Sequence, residues 1–194
     1  MVKEEIVFDS DNEFHMLRHF EVPDKLTIER ILNQGYTQFD IEKEISYPGS
    51  RFYSLFASSI SELLSIIFNF QFNISKGIND NLVLEFDIPI SNFPKGIGSN
   101  AVVNKNNLTN NDIQKIYYET NRGYKLFHLD VFELPKTNLA TVIIKDQNGK
   151  YIFITAFPGY SAMPVPDNKM PKQLFAKCKN YWDEHVFLNL GHKK

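Results

Sequence analysis

Apolar positions along this chain change their spacing several times, and each change predicts an element. In PDKLTIERILNQG, Leu26, Ile28, Ile31 and Leu32 make a helical stripe. Asp24 can cap the first turn, and Gly35 lies past the end. GSRFYSLFASSISELLSIIFNF repeats Phe52, Leu55, Phe56, Ile60, Leu63, Leu64, Ile67 and Phe68 at helical intervals. That predicts a longer helix after Pro48-Gly49, whose apolar face suits a core better than a ligand. Alternation then takes over. NLVLEFDIPI puts Leu82, Leu84, Phe86 and Ile88 on one side of a strand that Pro89 closes. LTNNDIQKIYYETNRG predicts a helix, with Thr109 and Asp112 at capping-box spacing and Asn121-Arg122-Gly123 as its stop. Strands are predicted over 125–132, 139–145 and 150–157, the last two joined at Asn148-Gly149, a strong hairpin signal. MPKQLFAKCKNYWDEHVFL predicts a closing helix with Pro171 near its start.

This order predicts an α+β fold: N-terminal helices followed by a four-stranded antiparallel sheet with helices packed on one face. The last three strands are expected to form a meander. The expected division is a helical region over 1–80, packed on the rest, and a sheet domain over 81–194.

Composition sharpens that outline. In 194 residues, 43% are hydrophobic, and 17 Phe with 9 Tyr can fill a core. No run of 18 apolar residues occurs, so no membrane partner is expected. The start, MVKEEIVFDSDNE, is acidic and has no apolar signal core. The single cysteine, Cys178, excludes an internal disulfide framework and a cysteine-based zinc site. The expectation is a cytoplasmic protein, or a cargo that needs no disulfides. The net charge of −2 hides an asymmetry. Residues 1–90 carry 7 Lys+Arg and 15 Asp+Glu, whereas 91–194 carry 14 and 8. A polyanion site on the basic half fits this count, and so do charges mixed over the surface of one domain.

Motifs for cofactors are weak. GIGS at 96–99 lacks the lysine and the spacing of a phosphate loop. His15 and His19, four apart, could share a metal, but no third ligand stands out, so neither a metal nor a cofactor is expected. Cys178 lies among lysines that could lower its pKa, although a core or helix-surface position explains it equally. In KLFHLDVF, His128 and Asp130 share one strand face, opposite Phe127, Leu129 and Val131. An imidazole beside a carboxylate suits acid–base chemistry, or a structural pair on a sheet face. Thr141 and Thr155 fall on opposite faces of a strict hairpin, and one bulge would align them. Lys95 and Arg122 flank the strands and suit phosphate binding or ordinary surface charge. FITAFPGYSAMPVP ends a strand in a rigid corner that either presents Thr155 and Tyr160 or simply terminates the strand.

FPKGIGSNAVV, NRG, HLDVFELPKTNLATVII, FITAFPG and YWDEHVFL together resemble the barnase–EndoU–colicin–RelE (BECR) nuclease superfamily, in its toxin or phage-associated branch, over roughly 82–188. The chain departs from several branches, lacking both their strand glutamate and an obvious two-histidine pair. The resemblance implies a metal-independent endoribonuclease, in which the 2′-OH attacks the adjacent phosphate and leaves a cyclic phosphate. It implies RNA as partner, with His128 as base or acid, Arg122 and Lys95 on the phosphate, Thr137 and Thr155 on its oxygens, and Tyr160 stacked on a base. A protein antitoxin or immunity partner would fit such a toxin. The rival expectation is a non-catalytic binder, itself immunity- or antitoxin-like, that uses the acidic first half.

Overall fold

A computed structural model describes residues 5–109, 111, 113–121 and 123–191. In chain order it contains β1 (Ile6–Val7), α1 (Ser10–Met16), α2 (Lys25–Asn33), α3 (Gln38–Ile45), β2 (Arg51–Phe52), α4 (Ile60–Ile67), β3 (Phe72–Lys76), β4 (Leu82–Asp87) and β5 (Gly98–Ser99). There follow β6 (Val102–Asn104), β7 (Ile113–Asn121), β8 (Tyr124–Val131), β9 (Lys136–Thr137), β10 (Leu139–Gln147), β11 (Lys150–Pro158), α5 (Lys172–Glu184) and β12 (His185–Leu190). The fold is α+β. Its strands form three sheets, not one four-stranded antiparallel sheet: β1-β11-β10-β4-β3, β6-β12-β8-β7 and β2-β5-β9.

Contacts divide the chain into two compact units, and neither is continuous in sequence. One comprises residues 1–99 and 136–160, the other 100–135 and 161–194. The division therefore does not fall at residue 80.

In the first unit, α4 lays Ile60, Leu63, Leu64 and Ile67 against Leu84, Phe86, Val142, Ile144, Phe153 and Ala156 of the five-stranded sheet. Each of these side chains is buried, a gain of roughly 1.5–3 kcal/mol apiece for all but the smaller Ala156. Residues 1–80 thus supply part of this core. The expected helix over 49–70 is shorter than its apolar spacing suggests. Arg51–Phe52 pairs with β5, and Ser59 accepts the Glu62 amide to start α4 only at Ile60. A second cluster, Leu17, Ile31 and Ile41, joins α1, α2 and α3, and Arg30 clamps the buried Glu13 at 2.6 Å. Asp24 caps α2 as expected, and Gly35 beyond it has φ +98°.

The β10–β11 hairpin turns at Asn148 (φ +56°) and Gly149 (φ +84°), as its sequence predicts. Its register shifts between Ile143 and Ile144, so Thr155 faces Ile143 and shares a face with Thr141. The meander is not formed. β10 takes β4 as its other neighbour, and β8 belongs to another sheet.

In the second unit, the segment read as a helix after Thr109 is the strand β7, paired with β8. The β-favouring Ile116, Tyr117, Tyr118 and Thr120 find cross-strand partners there, which outweighs local helix signals. Asp112, half of the expected capping box, lies outside the described residues. Gly123 (φ +89°) makes the hairpin turn. The closing helix ends at Glu184, where the branched and aromatic VFLNL run leaves it to pair with β8 in parallel and β6 antiparallel. The core here is Ala101, Leu129, Val131, Leu134, Val186 and Leu188.

Candidate functional site

Adjacent strands put side chains of paired residues on the same face. Tyr117 of β7 faces His128 of β8, which faces Phe187 of β12, and in the next row Lys115, Asp130 and Asn189 align. Glu119, two residues beyond Tyr117, completes the face. His128 is 6% exposed, yet polar groups bracket it. The Asn189 amide nitrogen lies 3.0 Å from His128 Nδ1 and donates to the Tyr117 hydroxyl at 2.7 Å. With that orientation Nδ1 accepts, so Nε2 carries the proton. Nε2 points towards the exposed Glu119 carboxylate, whose Oε2 is 3.3 Å away but off the line of a good hydrogen bond. The Tyr117 ring stacks on the imidazole at 5.2 Å, and Lys115 Nζ stands 5.3 Å from the centre of the same ring.

Burial lowers the His128 pKa below its ordinary value, and the charges of Glu119 and Asp130 partly restore it. Burial raises that of the Tyr117 phenol, with Asp130 and Glu119 adding to the effect. The face therefore holds a neutral imidazole behind an accessible carboxylate, with an ammonium and an aromatic ring alongside.

No family model matches the chain, and no curated protein matches it. Among solved structures, a conserved hypothetical protein from Toxoplasma gondii ME49 is similar at 12% identity over 66% of this chain and 84% of that one, with a TM-score of 0.42. A likeness so distant carries no argument about function.

The residues expected at the site divide between the two units. His128 is in the second. Arg122 lies outside the described residues. Lys95, Thr137, Thr155 and Tyr160 are in the first unit. Thr137 Oγ1 accepts the Leu139 amide at 3.0 Å, a local turn bond. Thr155 is half-buried, with Oγ1 3.8 Å from Met16 Sδ, and the same sulfur accepts the Ala156 amide. The Phe-Pro-Gly corner also has a structural task. Gly159 (φ +104°) donates its amide to Leu139 O, and its own carbonyl accepts the buried Thr141 hydroxyl at 2.6 Å. Tyr160 beyond it is 68% exposed.

Sequence reasoning passed over Glu119, Tyr117 and Asn189. Glu119 and Tyr117 fall in a stretch that reads as a helix, and Asn189 just past the end of another. Alternation of Lys115, Tyr117 and Glu119 was the available signal. Cys178 is buried, and burial raises its pKa, so its lysine neighbours do not activate it. His15 and His19 meet edge to face at 5.5 Å, and His19 Nδ1 bonds the Ser50 carbonyl. Among the described residues, no group of three His, Cys, Asp or Glu could hold a metal, and no helix is long and apolar enough to cross a membrane.

Proposed function

We propose that the protein is a metal-independent endoribonuclease whose site is the polar face of the β7–β8–β12 sheet. The observation that carries this is the carboxylate–imidazole pair, Glu119 against His128, at the boundary between solvent and core. Glu119 is the base for the 2′-OH. His128, too buried to touch RNA, is a positioning residue whose Nε2 faces the carboxylate from 3.3 Å without a formed hydrogen bond. Lys115 lies on the same side of β7, about 14 Å along the strand from Glu119 at ~3.4 Å per residue. Side chains leaning over Tyr117 from both ends leave room for one phosphate. The Lys115 ammonium there offsets the charge of the phosphorane and can protonate the leaving 5′-oxygen. The Tyr117 ring offers a surface for stacking a base. The motif resemblance and the 10 Lys+Arg against 7 Asp+Glu in this unit's two segments favour RNA over a neutral substrate.

The test is incubation of the purified protein with RNA oligonucleotides in EDTA. Products ending in a 2′,3′-cyclic phosphate are expected, and Glu119→Gln should slow their release about 10²- to 10⁴-fold. Absence of cleavage, or an equally fast Glu119→Gln protein, refutes the proposal.

A further inference from the structure

The first unit holds a cleft of about 530 Å³, within the range of small-molecule sites. One wall is the turn after β2, Tyr53 to Phe56, and the other is the loop from Asn92 to Gly96 that leads into β5. Phe56 is buried and meets the edge of Phe93 at 4.9 Å, giving an apolar floor. Leu55, 91% exposed, stands at the mouth.

The walls are fixed from behind. Tyr53 donates its amide to Ile97 O, the Phe56 amide returns to Tyr53 O, and the Asn138 amide holds Phe93 O at 3.1 Å. Gly96 turns the loop at φ +85°, and a Cβ there would stand 3.1 Å from Thr137 O. That close approach presses the loop onto β9, so that Lys95 and Lys136 line the same cleft. The acidic group present, Glu21, accepts both the amide and the hydroxyl of Ser54 and is thereby occupied. Lys95, exposed and in no ion pair among the described residues, sets an ammonium at the rim above an aromatic floor.

We propose that this cleft binds a small apolar molecule carrying one anionic group, of the type of an aromatic carboxylate. The flat body covers Phe93, Phe56 and Leu55, and the anion meets Lys95 at the rim. This site is independent of the ribonuclease reading, because it uses none of the residues of that face.

The test is calorimetric titration of the full-length protein with naphthalene-1-carboxylate and, separately, with its neutral alcohol, naphthalene-1-methanol. One-site binding is expected, with the carboxylate preferred about five-fold, as one exposed ion pair allows. Amide-proton shifts should concentrate at 53–56 and 92–96. Lys95→Glu should erase the preference, and Leu55→Asp should weaken both ligands. Both substitutions are at exposed positions, so the fold tolerates them. No binding at millimolar ligand overturns the proposal. So does a preference that survives Lys95→Glu, or shifts that fall on other segments.

Discussion

Lowering the pH should destabilise this protein through His19. Its half-buried ring lies beside His15, Arg18, Arg51 and the Phe157 ring, and desolvation brings its pKa from 6.5 to about 3 despite the bond to Ser50 O. The three neighbouring basic groups push in the same direction as burial. The folded state therefore keeps a neutral imidazole over a range in which the unfolded chain takes up a proton. The stabilisation is complete above pH 6.5 and is lost as pH falls from there towards 3. At pH 4.5 the gap is two pH units below the unfolded value, which at ~1.4 kcal/mol per unit amounts to about 3 kcal/mol. With a urea m-value of about 2 kcal/mol/M, the midpoint should fall by about 1.5 M between pH 7 and pH 4.5 on this account alone. His19→Asn keeps an N–H for Ser50 O but cannot titrate. Far-ultraviolet circular dichroism would follow urea unfolding of both proteins at each pH. The variant should start less stable and lose about 3 kcal/mol less on acidification. Equal acid sensitivity in the two proteins would refute the argument.

Further outcomes follow from other sites. Gly98→Ala should cost roughly 2–3 kcal/mol and lower Tm by about 4–12 °C, because the new methyl would press on Arg51 O and stand 2.8 Å from the Pro158 ring; Gly49→Ala, in open space, is the control and should melt like the wild type. Calorimetric melting of the two proteins decides this, and similar curves would contradict it. RNA cleavage should decline on the acid side, below 6.5, since a charged His128 would turn Nδ1–H against the Asn189 amide and pair with the Glu119 carboxylate, leaving it a weaker base. Asn189→Asp should raise the His128 pKa and carry that limb to higher pH, readable in the pH–rate profile and in the imidazole proton resonances. Cleavage should also weaken steeply with added salt, as expected when phosphates displace counterions, and a flat salt response would argue against a polyanion substrate.

What could be read from the sequence was local. Asp24 before α2, the alternation in β4 and Asn148-Gly149 each encode their geometry within a few residues, and each stands as expected. Segments whose conformation depends on distant partners were misread. β7 has Thr109 and Gly123 placed as a helix would place them, but it is held by β8, and VFLNL continues a helical pattern until β6 and β8 claim it. At the candidate site, His128 and Asp130 were visible because both sit in one strand that was read correctly. Glu119 and Asn189 were invisible for the opposite reason: their meeting with His128 is a matter of pairing register. Thr155 was noticed for its position in a motif, whereas its half-buried place beside Met16 depends on a helix some 140 residues earlier in the chain.

The short pairing of β5 with β9 bears on how such a chain could have been assembled. Ser99 lies opposite Lys136, so the excursion over 100–135 leaves and returns between two neighbouring backbones. Removing it and joining the two ends would need only a tight connection between strands already side by side. Synthesis meets the same arrangement in reverse. The ribosome releases 100–135 before β10 and β11, the middle of the sheet that α4 covers, so the earlier helices must wait with apolar faces uncovered while an intervening segment is made. A chaperone would have its longest opportunity during that interval, and a ribosome stall near residue 135 would leave the most adhesive form of the nascent chain.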